Sequence, residues 1–418
     1  ACNTWGCSGY STKYIAVELG VADVIADAPV VSLPVPAQDN VGAIEASSGV
    51  DGGAAQYAIP IQAAPGRRGV APGVSLNYQS RAGNGVLGVG WSVSAGSRIH
   101  RCAHTVAQDG YTESASLYGI DALCLDGARL VVVSGTYGQG GSEYRTEVDA
   151  YARVRLSESI GSATACFSVE EKGGQTRYYG ACDGTDSIEK EQTIFLTTVT
   201  TAWLLDYVKD PQQNVIEYVY AHEGDGATLL SDIYYTGLYV GPSASSGAIV
   251  RGDRRVHFAY EARPDPQTAY LYNAVRADWR GRLTQRLHAI TTYTGASVVR
   301  SYELAYTPSR ATSRSLLASV TECSSAPCPG AASGGVALPA TTFTYQDEPV
   351  RFGGEEAVAS GGEEVKTRLL GDYDGDGQRD RLVLEYAVDA YGKPVGLPVS
   401  RTLWLSSQAV PIDLGPNV

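Results

Sequence analysis

Residues Gly52–Cys102 read GGAAQYAIPIQAAPGRRGVAPGVSLNYQSRAGNGVLGVGWSVSAGSRIHRC. Tyr57, Ile59 and Ile61 alternate with Ala58, Pro60 and Gln62, and Val74, Leu76 and Tyr78 alternate with Ser75, Asn77 and Gln79. A period of two puts each apolar set on one face of a strand. The Ala64–Gly73 stretch between them holds two Pro-Gly pairs. These predict type II turns, with Pro fixing φ and Gly taking positive φ. Gly83, Gly85, Gly88 and Gly90 then lead into Trp91. A phosphate loop would need a Lys-Ser/Thr and a following helix, and neither is present. The glycines read instead as turns packing under Trp91.

The same pattern continues outward. LVVVSG at Leu130–Gly135 and EYRTEV at Glu143–Val148 flank a Gly-rich connection. Phe167–Gly180 carries Gly173-Gly174 at a hairpin turn. Thr201–Glu223 carries Asp210-Pro211 and Asn214 between two apolar runs. Val299–Pro308 and Ala337–Gln346 read as closing strands. Helical spacing is nearly absent; one short helix is expected around Asn273–Leu287. The 27 Tyr against 5 Phe suit half-exposed strands, where the ring packs and the hydroxyl stays wet. The fold class expected is all-β.

A chain of 418 residues can bury a sizeable core without help from metals. Its net charge of −13 disfavours general nucleic-acid binding, which needs clustered Lys and Arg. No apolar run is long enough to span a membrane as a helix. The eight cysteines fall into four local pairs: Cys2 with Cys7, Cys102 with Cys124, Cys166 with Cys182, and Cys323 with Cys328. Many other pairings are formally possible, so this set is a nearest-neighbour inference. An even count with short loops favours an oxidising compartment, hence a secreted or cell-surface protein. Each loop would contribute roughly 2–3 kcal/mol. The C-x4-C spacing of Cys323 and Cys328 also fits a zinc ligand pair, but no second close pair accompanies it. The chain begins at Ala1 and contains no Met, which suggests a mature terminus or an internal boundary.

Four segments are expected. Residues 1–47 are Ala/Val/Pro-rich and read as an extended lead-in. Residues 48–350 form the β-rich body, residues 351–365 an acidic Gly-rich linker, and residues 366–418 a separate repeat. That repeat holds the one strong chemical motif, LLGDYDGDGQRDRLVLEY, at Leu369–Tyr386. Asp372, Asp374, Asp376 and Asp380 occupy positions 1, 3, 5 and 9 of a loop. Gln378 at position 7 would offer its backbone carbonyl. Ca²⁺ takes six to eight oxygens at about 2.3–2.6 Å, and alternate residues of a tight loop converge on one ion. Val383 stands where an EF-hand needs a bidentate Glu, so the loop sits between strands. Four clustered carboxylates without a cation would repel one another.

Several stretches resemble known families. Gly52–Cys102, continued by Asp121–Val154, looks like the SpvB-type N-terminal domain found in Rhs proteins and insecticidal Tc toxin B components. Trp203–Tyr220 resembles the tyrosine-aspartate strand pair of Rhs proteins, and Thr321–Tyr345 resembles the closing segment. The likeness spans roughly Gly52–Tyr345. The Asp372–Asp380 loop with its flanking strands resembles an FG-GAP, integrin-type propeller repeat. The resemblance implies a large antiparallel β-sheet shell, followed by a partial propeller-type calcium-binding repeat that docks onto a translocating partner. The partners implied are the downstream Rhs or toxin region, or a partner toxin subunit. A single blade cannot close a propeller, and its open edge invites another chain. A fragment of a longer polypeptide, or self-association into a larger assembly, is therefore expected.

The function expected is a non-catalytic structural module of a secreted bacterial toxin-like protein. One alternative is an extracellular adhesin or filament subunit assembling through strand edges. Another is a secreted carbohydrate-binding or carbohydrate-active protein, whose carboxylate pair sequence alone does not reveal. His100 and His104 lack the metalloprotease H-E-x-x-H context, and no nucleophile elbow appears. The transferase activity associated with the SpvB name belongs to a separate C-terminal domain, and no E-x-E pair follows a Ser-Thr-Ser strand here. Arg251-Gly252-Asp253 spells a receptor-recognition tripeptide, which would need an exposed loop.

Overall fold

The computed structural model describes residues 2–3, 6–7, 42–115, 121–182, 184–192, 198–223, 228–241, 248–273, 276–328, 336–347, 365–371, 380–388, 394–405 and 411–415. These fall into two compact units, one ending at residue 347 and one covering 365–415. Both are built from antiparallel strands, with a single helical turn at Val106–Asp109 among the described residues.

The first unit opens with a four-stranded sheet of Ser47–Asp51, Ala54–Pro60, Ser75–Gln79 and Trp91–Ser94. The alternation read from the sequence is realised. Tyr57, Ile59, Ile61, Val74 and Leu76 are buried, and Ile59 and Leu76 are fully so. The connection between the two central strands differs from expectation. Gly66 and Gly73 are not at positive φ; that conformation falls on Arg68 (52°) and Gly69 (83°). Arg67 and Val70 bridge across them, with the Val70 N–H donating to the Arg67 carbonyl at 3.0 Å. Positive φ at both central residues is the hairpin type of turn, whose twist matches the strands; a type II turn would splay them. The glycines before Trp91 are structural, as read. A Cβ at Gly90 (φ +80°) would sit 2.5 Å from the Tyr78 ring, and one at Gly88 (φ +84°) 2.3 Å from the Ser315 carbonyl oxygen.

Eight strands then close into an antiparallel barrel, a feature the sequence did not announce. In pairing order they are Arg98–Cys102, Ala122–Leu125, Ala128–Ser134, Glu143–Thr146, Arg153–Leu156, Cys166–Glu170, Thr176–Gly180 and Thr198–Lys209. Closure rests on the last strand. Its middle pairs with the first strand (Trp203 opposite Ile99), and its end pairs with Thr176–Gly180 (Val208 opposite Arg177). Alternation explains the two faces. Val154 and Leu156 point into the core with Phe167, Val169 and Trp203. Arg153 and Arg155 point outward, where they pair with Glu143 and Glu170. Such cross-strand pairs contribute a few tenths of a kcal/mol each, ~0.2–1, and help hold register.

Thr198–Lys209 also pairs with Asn214–His222, which starts a long meander. Its further strands are Thr228–Val240, Arg254–Asn273, Arg276–Thr294, Ser297–Pro308, Ser315–Cys323 and Thr341–Thr342. The expected turn at Asp210-Pro211 is present. The Asp210 carboxylate accepts from the Asn214 backbone N–H and side-chain amide, both at 2.7 Å, while Gln213 adopts φ 66°. The short helix expected around Asn273–Leu287 is not there. That region forms the 20- and 19-residue strands Arg254–Asn273 and Arg276–Thr294. The misreading has a geometric cause. Ala259 pairs with Ala289 but Tyr260 with Leu287, so His288 is an extra residue in a bulge. The bulge leaves buried Leu287 and Ile290 three positions apart, which imitates helical spacing.

The second unit is a four-stranded meander of Val365–Gly371, Asp380–Val388, Pro394–Trp404 and Ile412–Asp413. The linker segment 351–364 lies outside the described residues.

Candidate functional site

Three of the four expected cysteine pairs are disulfides. Cys102–Cys124 staples two neighbouring barrel strands, with Cα atoms 5.9 Å apart. Cys166–Cys182 spans the hairpin that ends at Gly180, and Cys323–Cys328 closes the turn after the meander's Ser315–Cys323 strand. The Cys323–Cys328 disulfide removes the zinc reading for that pair. Cys2 and Cys7 are register partners in a two-residue ladder; their side chains lie outside the described part.

Of the expected calcium ligands, Asp372, Asp374, Asp376 and Gln378 lie outside the described residues. Asp380 begins the strand Asp380–Val388 and is 1% exposed. Its register partner is Gly371. Directly opposed residues in an antiparallel ladder have Cα atoms about 4.5–5.5 Å apart. Gly371 and Asp380 are therefore opposed at the two ends of the segment 372–379, which lies outside the described residues. The donor set expected there, all oxygen, is of the kind Ca²⁺ takes.

A buried polar clamp was missed in the sequence. Arg263 is buried, and its guanidinium donates to the Gly85 carbonyl at 3.1 Å and to Asn84 Oδ1 at 2.9 Å. It also pairs with Asp265 at 3.0 Å. Asp265 in turn accepts from the Ser315 backbone N–H at 2.9 Å. Burial alone would raise the Asp265 pKa, but the Arg263 and Ser315 hydrogen bonds override it and hold this carboxyl well below the usual range. The clamp ties the Asn84–Val89 hairpin to the meander. Its signal was the segment Arg263-Pro264-Asp265-Pro266. Proline inside a strand marks a bulge, and the ladder does skip from Ala262 to Gln267 here.

The Arg251-Gly252-Asp253 tripeptide lies in the connection between the strands Ala248–Val250 and Arg254–Asn273, with Arg251 and Asp253 exposed but tied to neighbouring side chains. Arg251 Nε donates to Glu217 at 2.8 Å, and its guanidinium stacks on the Tyr234 ring. A Cβ on Gly252 would overlap the Tyr235 carbonyl oxygen at 1.8 Å. Asp253 accepts from the Thr236 hydroxyl at 2.7 Å. Together with Pro65–Arg67 and Arg254 these residues line an open concavity of about 540 Å³.

His100 and His104 do not form a metal pair. His100 lies within the barrel strand Arg98–Cys102, and burial lowers its pKa. His104 faces Asp109 at 3.2 Å, beside the Arg129–Asp109 ion pair at 2.7 Å.

Residues 49–234 match the family model described as Salmonella virulence plasmid 65kDa B protein. The region 49–234 is thus similar to the SpvB family over less than half of the chain. It comprises the opening sheet, the whole barrel and the first two meander strands, ending at Tyr234 within Thr228–Val240. A mono(ADP-ribosyl)transferase SpvB from Salmonella typhimurium (strain 14028s / SGSC 2262) is 43% identical over 75 residues. Those residues are 18% of this chain and 12% of that protein. In fold, the chain is similar to the crystal structure of TcdB2-TccC3. The TM-score is 0.60 at 16% identity, covering 90% of this chain and 20% of that one. A Photorhabdus luminescens Tc holotoxin pore gives a TM-score of 0.58 at 18% identity, covering 89% of this chain and 18% of that one. The fold of the SpvB-type region and of the meander beyond it thus recurs inside polypeptides several times longer. No described helix is long and apolar enough to cross a membrane.

Proposed function

We propose that this chain is a non-catalytic wall segment of a larger, secreted, Rhs/Tc-type toxin-like protein. The observation that carries the reading is one strand with two memberships. Thr198–Lys209 closes the eight-stranded barrel and also pairs with Asn214–His222, the first strand of the meander. The sheet is therefore continuous from the barrel into the meander, backed by a packed core. The likeness to the Tc assemblies supports this, since their polypeptides cover the same fold with a fraction of their length. The three disulfides support an extracellular setting. The partners are then the remainder of a longer polypeptide or another toxin subunit.

We propose further that the second unit is a Ca²⁺-stabilised repeat of FG-GAP type. Four short antiparallel strands in sequential order are the layout of a propeller blade. The Asp372–Asp380 loop would hold the ion through Asp372, Asp374, Asp376 and Asp380, with the Gln378 carbonyl. Bound there, Ca²⁺ would neutralise the loop and pin the Gly371–Asp380 hairpin mouth.

The test is cryo-electron microscopy of the protein from its source, combined with native mass spectrometry in calcium and in chelator. The wall reading expects a longer polypeptide in which this fold lines an enclosed lumen. A mature protein ending near Val418 with no sheet-forming partner would sink it.

One observation favours a second reading, an adhesin or filament subunit. The outer strand of the opening sheet, Ser47–Asp51, is exposed along its whole length. An unpaired edge templates another chain. Concentration-dependent assembly that stops when proline replaces Ser48 would support that reading over the first.

A further inference from the structure

Four of the five histidines face a carboxylate. His104, His222, His257 and His288 lie 3.2, 3.8, 2.8 and 3.6 Å from Asp109, Asp186, Asp232 and Glu261. His100 has no carboxylate within ion-pair distance among the described residues. Its Nδ1 is buried and makes no hydrogen bond. Burial and the Arg98 charge push its pKa down, against the pull of Asp126, so the ring is neutral at pH 7. With the proton on Nε2, Nδ1 is a bare acceptor. What this atom lacks is a donor. Arg177, Arg254 and Arg381 differ, because each leaves an N–H without an acceptor.

The strand pairing places that acceptor beside sulfur. Cys124 is directly opposite His100, and Ala122 is opposite Cys102. Opposed residues share a face with Cβ atoms about 4.5–5.5 Å apart, and residues two apart on one strand share it too. His100, Cys102 and Cys124 therefore form one patch, on the reverse of the face where Ile99, Leu123 and Leu125 enter the core. The Cys102–Cys124 bond crosses this patch. A disulfide has no hydrogen to donate; a thiol has one. The chain thus holds a buried acceptor that the reduced cysteines can satisfy and the disulfide cannot.

The other two disulfides have no such acceptor in waiting. Around Cys166–Cys182 and Cys323–Cys328 the acceptors are the Phe167, Tyr179 and Thr321 carbonyls, all of residues already placed in strand ladders. Cys328 also donates its backbone N–H to Glu303, whose negative charge opposes a departing thiolate. Access adds a direction at the first bond. Cys124 is 6% exposed and Cys102 is more open. An incoming thiolate meets Cys102 and expels Cys124 on the side of His100.

We propose that Cys102–Cys124 is a thiol-exchange site, that its reactant is a small dithiol, and that His100 favours the reduced form by accepting a hydrogen bond from Cys124. One thiolate of the reductant bonds to Cys102 Sγ. The disulfide bond breaks, and its electron pair stays on Cys124 Sγ, which takes up the proton that the reductant released. The second thiolate of the reductant then attacks the reductant's own sulfur in the mixed disulfide and expels Cys102, which is protonated in turn. The reductant leaves as a disulfide, and two electrons and two protons have passed to the chain. The three disulfides are then not equivalent. In a thiol-rich compartment this bond opens first, and the segment between Cys102 and Cys124 loses its covalent closure.

The test equilibrates the whole folded chain with graded mixtures of reduced and oxidised dithiothreitol, then alkylates free thiols and maps them by peptide mass spectrometry. Cys102 and Cys124 should be half reduced at a lower ratio of reduced to oxidised reagent than either other pair. His100→Phe removes the acceptor. It should raise the ratio that this pair needs by roughly tenfold, the order that an unmet buried acceptor costs, and leave the other two pairs unmoved. His100→Gln keeps an acceptor oxygen and should recover part of the shift. Reduction of either other pair before Cys102–Cys124, or an unchanged midpoint in the His100→Phe chain, would overturn the assignment. If His100→Phe misfolds, the imidazole nitrogen resonances of the unaltered chain decide. The His100 Nδ1 signal should move upfield on reduction as it gains a hydrogen bond, and a stationary signal would count against the site.

Discussion

The Trp91 indole N–H donates to the Tyr345 hydroxyl at 2.8 Å, across 254 positions of sequence. Tyr345 passes the interaction on, donating to the Leu317 carbonyl at 2.7 Å. The indole also contacts Tyr57, Tyr78 and Phe343. One hydrogen-bond relay inside an aromatic cluster therefore fastens the opening sheet to the last strands of the meander. Tyr345→Phe leaves the indole N–H without its acceptor. An unsatisfied buried donor costs about 1–3 kcal/mol. Denaturant unfolding should show that loss as a lower midpoint at unchanged slope. Trp91→Phe combined with it should cost less than the sum of the two single changes, because both remove the same bond.

Gly90 faces the same cluster. Its φ of +80° and the 2.5 Å approach to Tyr78 leave no room for a methyl group. Gly90→Ala should destabilise the first unit by at least the strain cost of about 1–3 kcal/mol. Gly83→Ala, where a Cβ meets nothing within 4 Å, is the control and should change the thermal midpoint little.

The clamp at Asp265 sets a pH dependence. Its carboxyl titrates below the ordinary range in the folded chain, because the hydrogen bonds from Arg263 and Ser315 outweigh burial. A depressed folded pKa means that the unfolded chain binds the proton first as pH falls. The stabilisation is complete above the unfolded value of about 3.9 and is lost as pH falls below it. Asp265→Asn should flatten the stability profile in that acid window while lowering stability at neutral pH. An unchanged acid limb would show that other carboxylates govern it.

Calcium removal should act on the second unit alone. A ligand present at 100 times its Kd stabilises by about 2.7 kcal/mol, so chelator should lower that unit's midpoint accordingly. Trp404 reports on it, since Arg381 stacks on its ring at 4.9 Å within this sheet. Asp374→Ala should weaken Ca²⁺ affinity and abolish the chelator effect on Trp404 fluorescence. Undiminished affinity would show that the loop is not the site.

The intact chain should carry eight fewer hydrogens than its reduced form, one for each cysteine. Replacing Cys102 and Cys124 together by Ser should cost about 2–4 kcal/mol, since the link constrains neighbouring barrel strands in the unfolded chain. Free thiols in native material would break the argument for an oxidising compartment.

Much of this fold is local and was therefore legible. Period-two alternation named the inward faces at Tyr57–Ile61 and Val74–Leu76, and turn chemistry located the hairpin at Asp210–Asn214. The three disulfides observed join near neighbours in sequence, so proximity sufficed to find them. The loop from Asp372 to Asp380 stands as an expectation from its alternating carboxylates, and residues 372–379 lie outside the described residues.

What stayed hidden depends on register between distant strands. Barrel closure is decided by Trp203 meeting Ile99, and nothing near either residue announces it. A bulge at His288 made a strand look helical, because one extra residue reverses the alternation. Arg263 and Asp265 showed only the proline pattern of a bulge; their partners Asn84 and Ser315 lie 179 and 50 positions away. The sequence by itself determined strand content and the position of turns such as Asp210–Asn214, all set by residues within a few positions of one another. The tertiary structure alone decided the closed barrel, the shared strand and the buried clamp, because each depends on groups that only long-range pairing brings together.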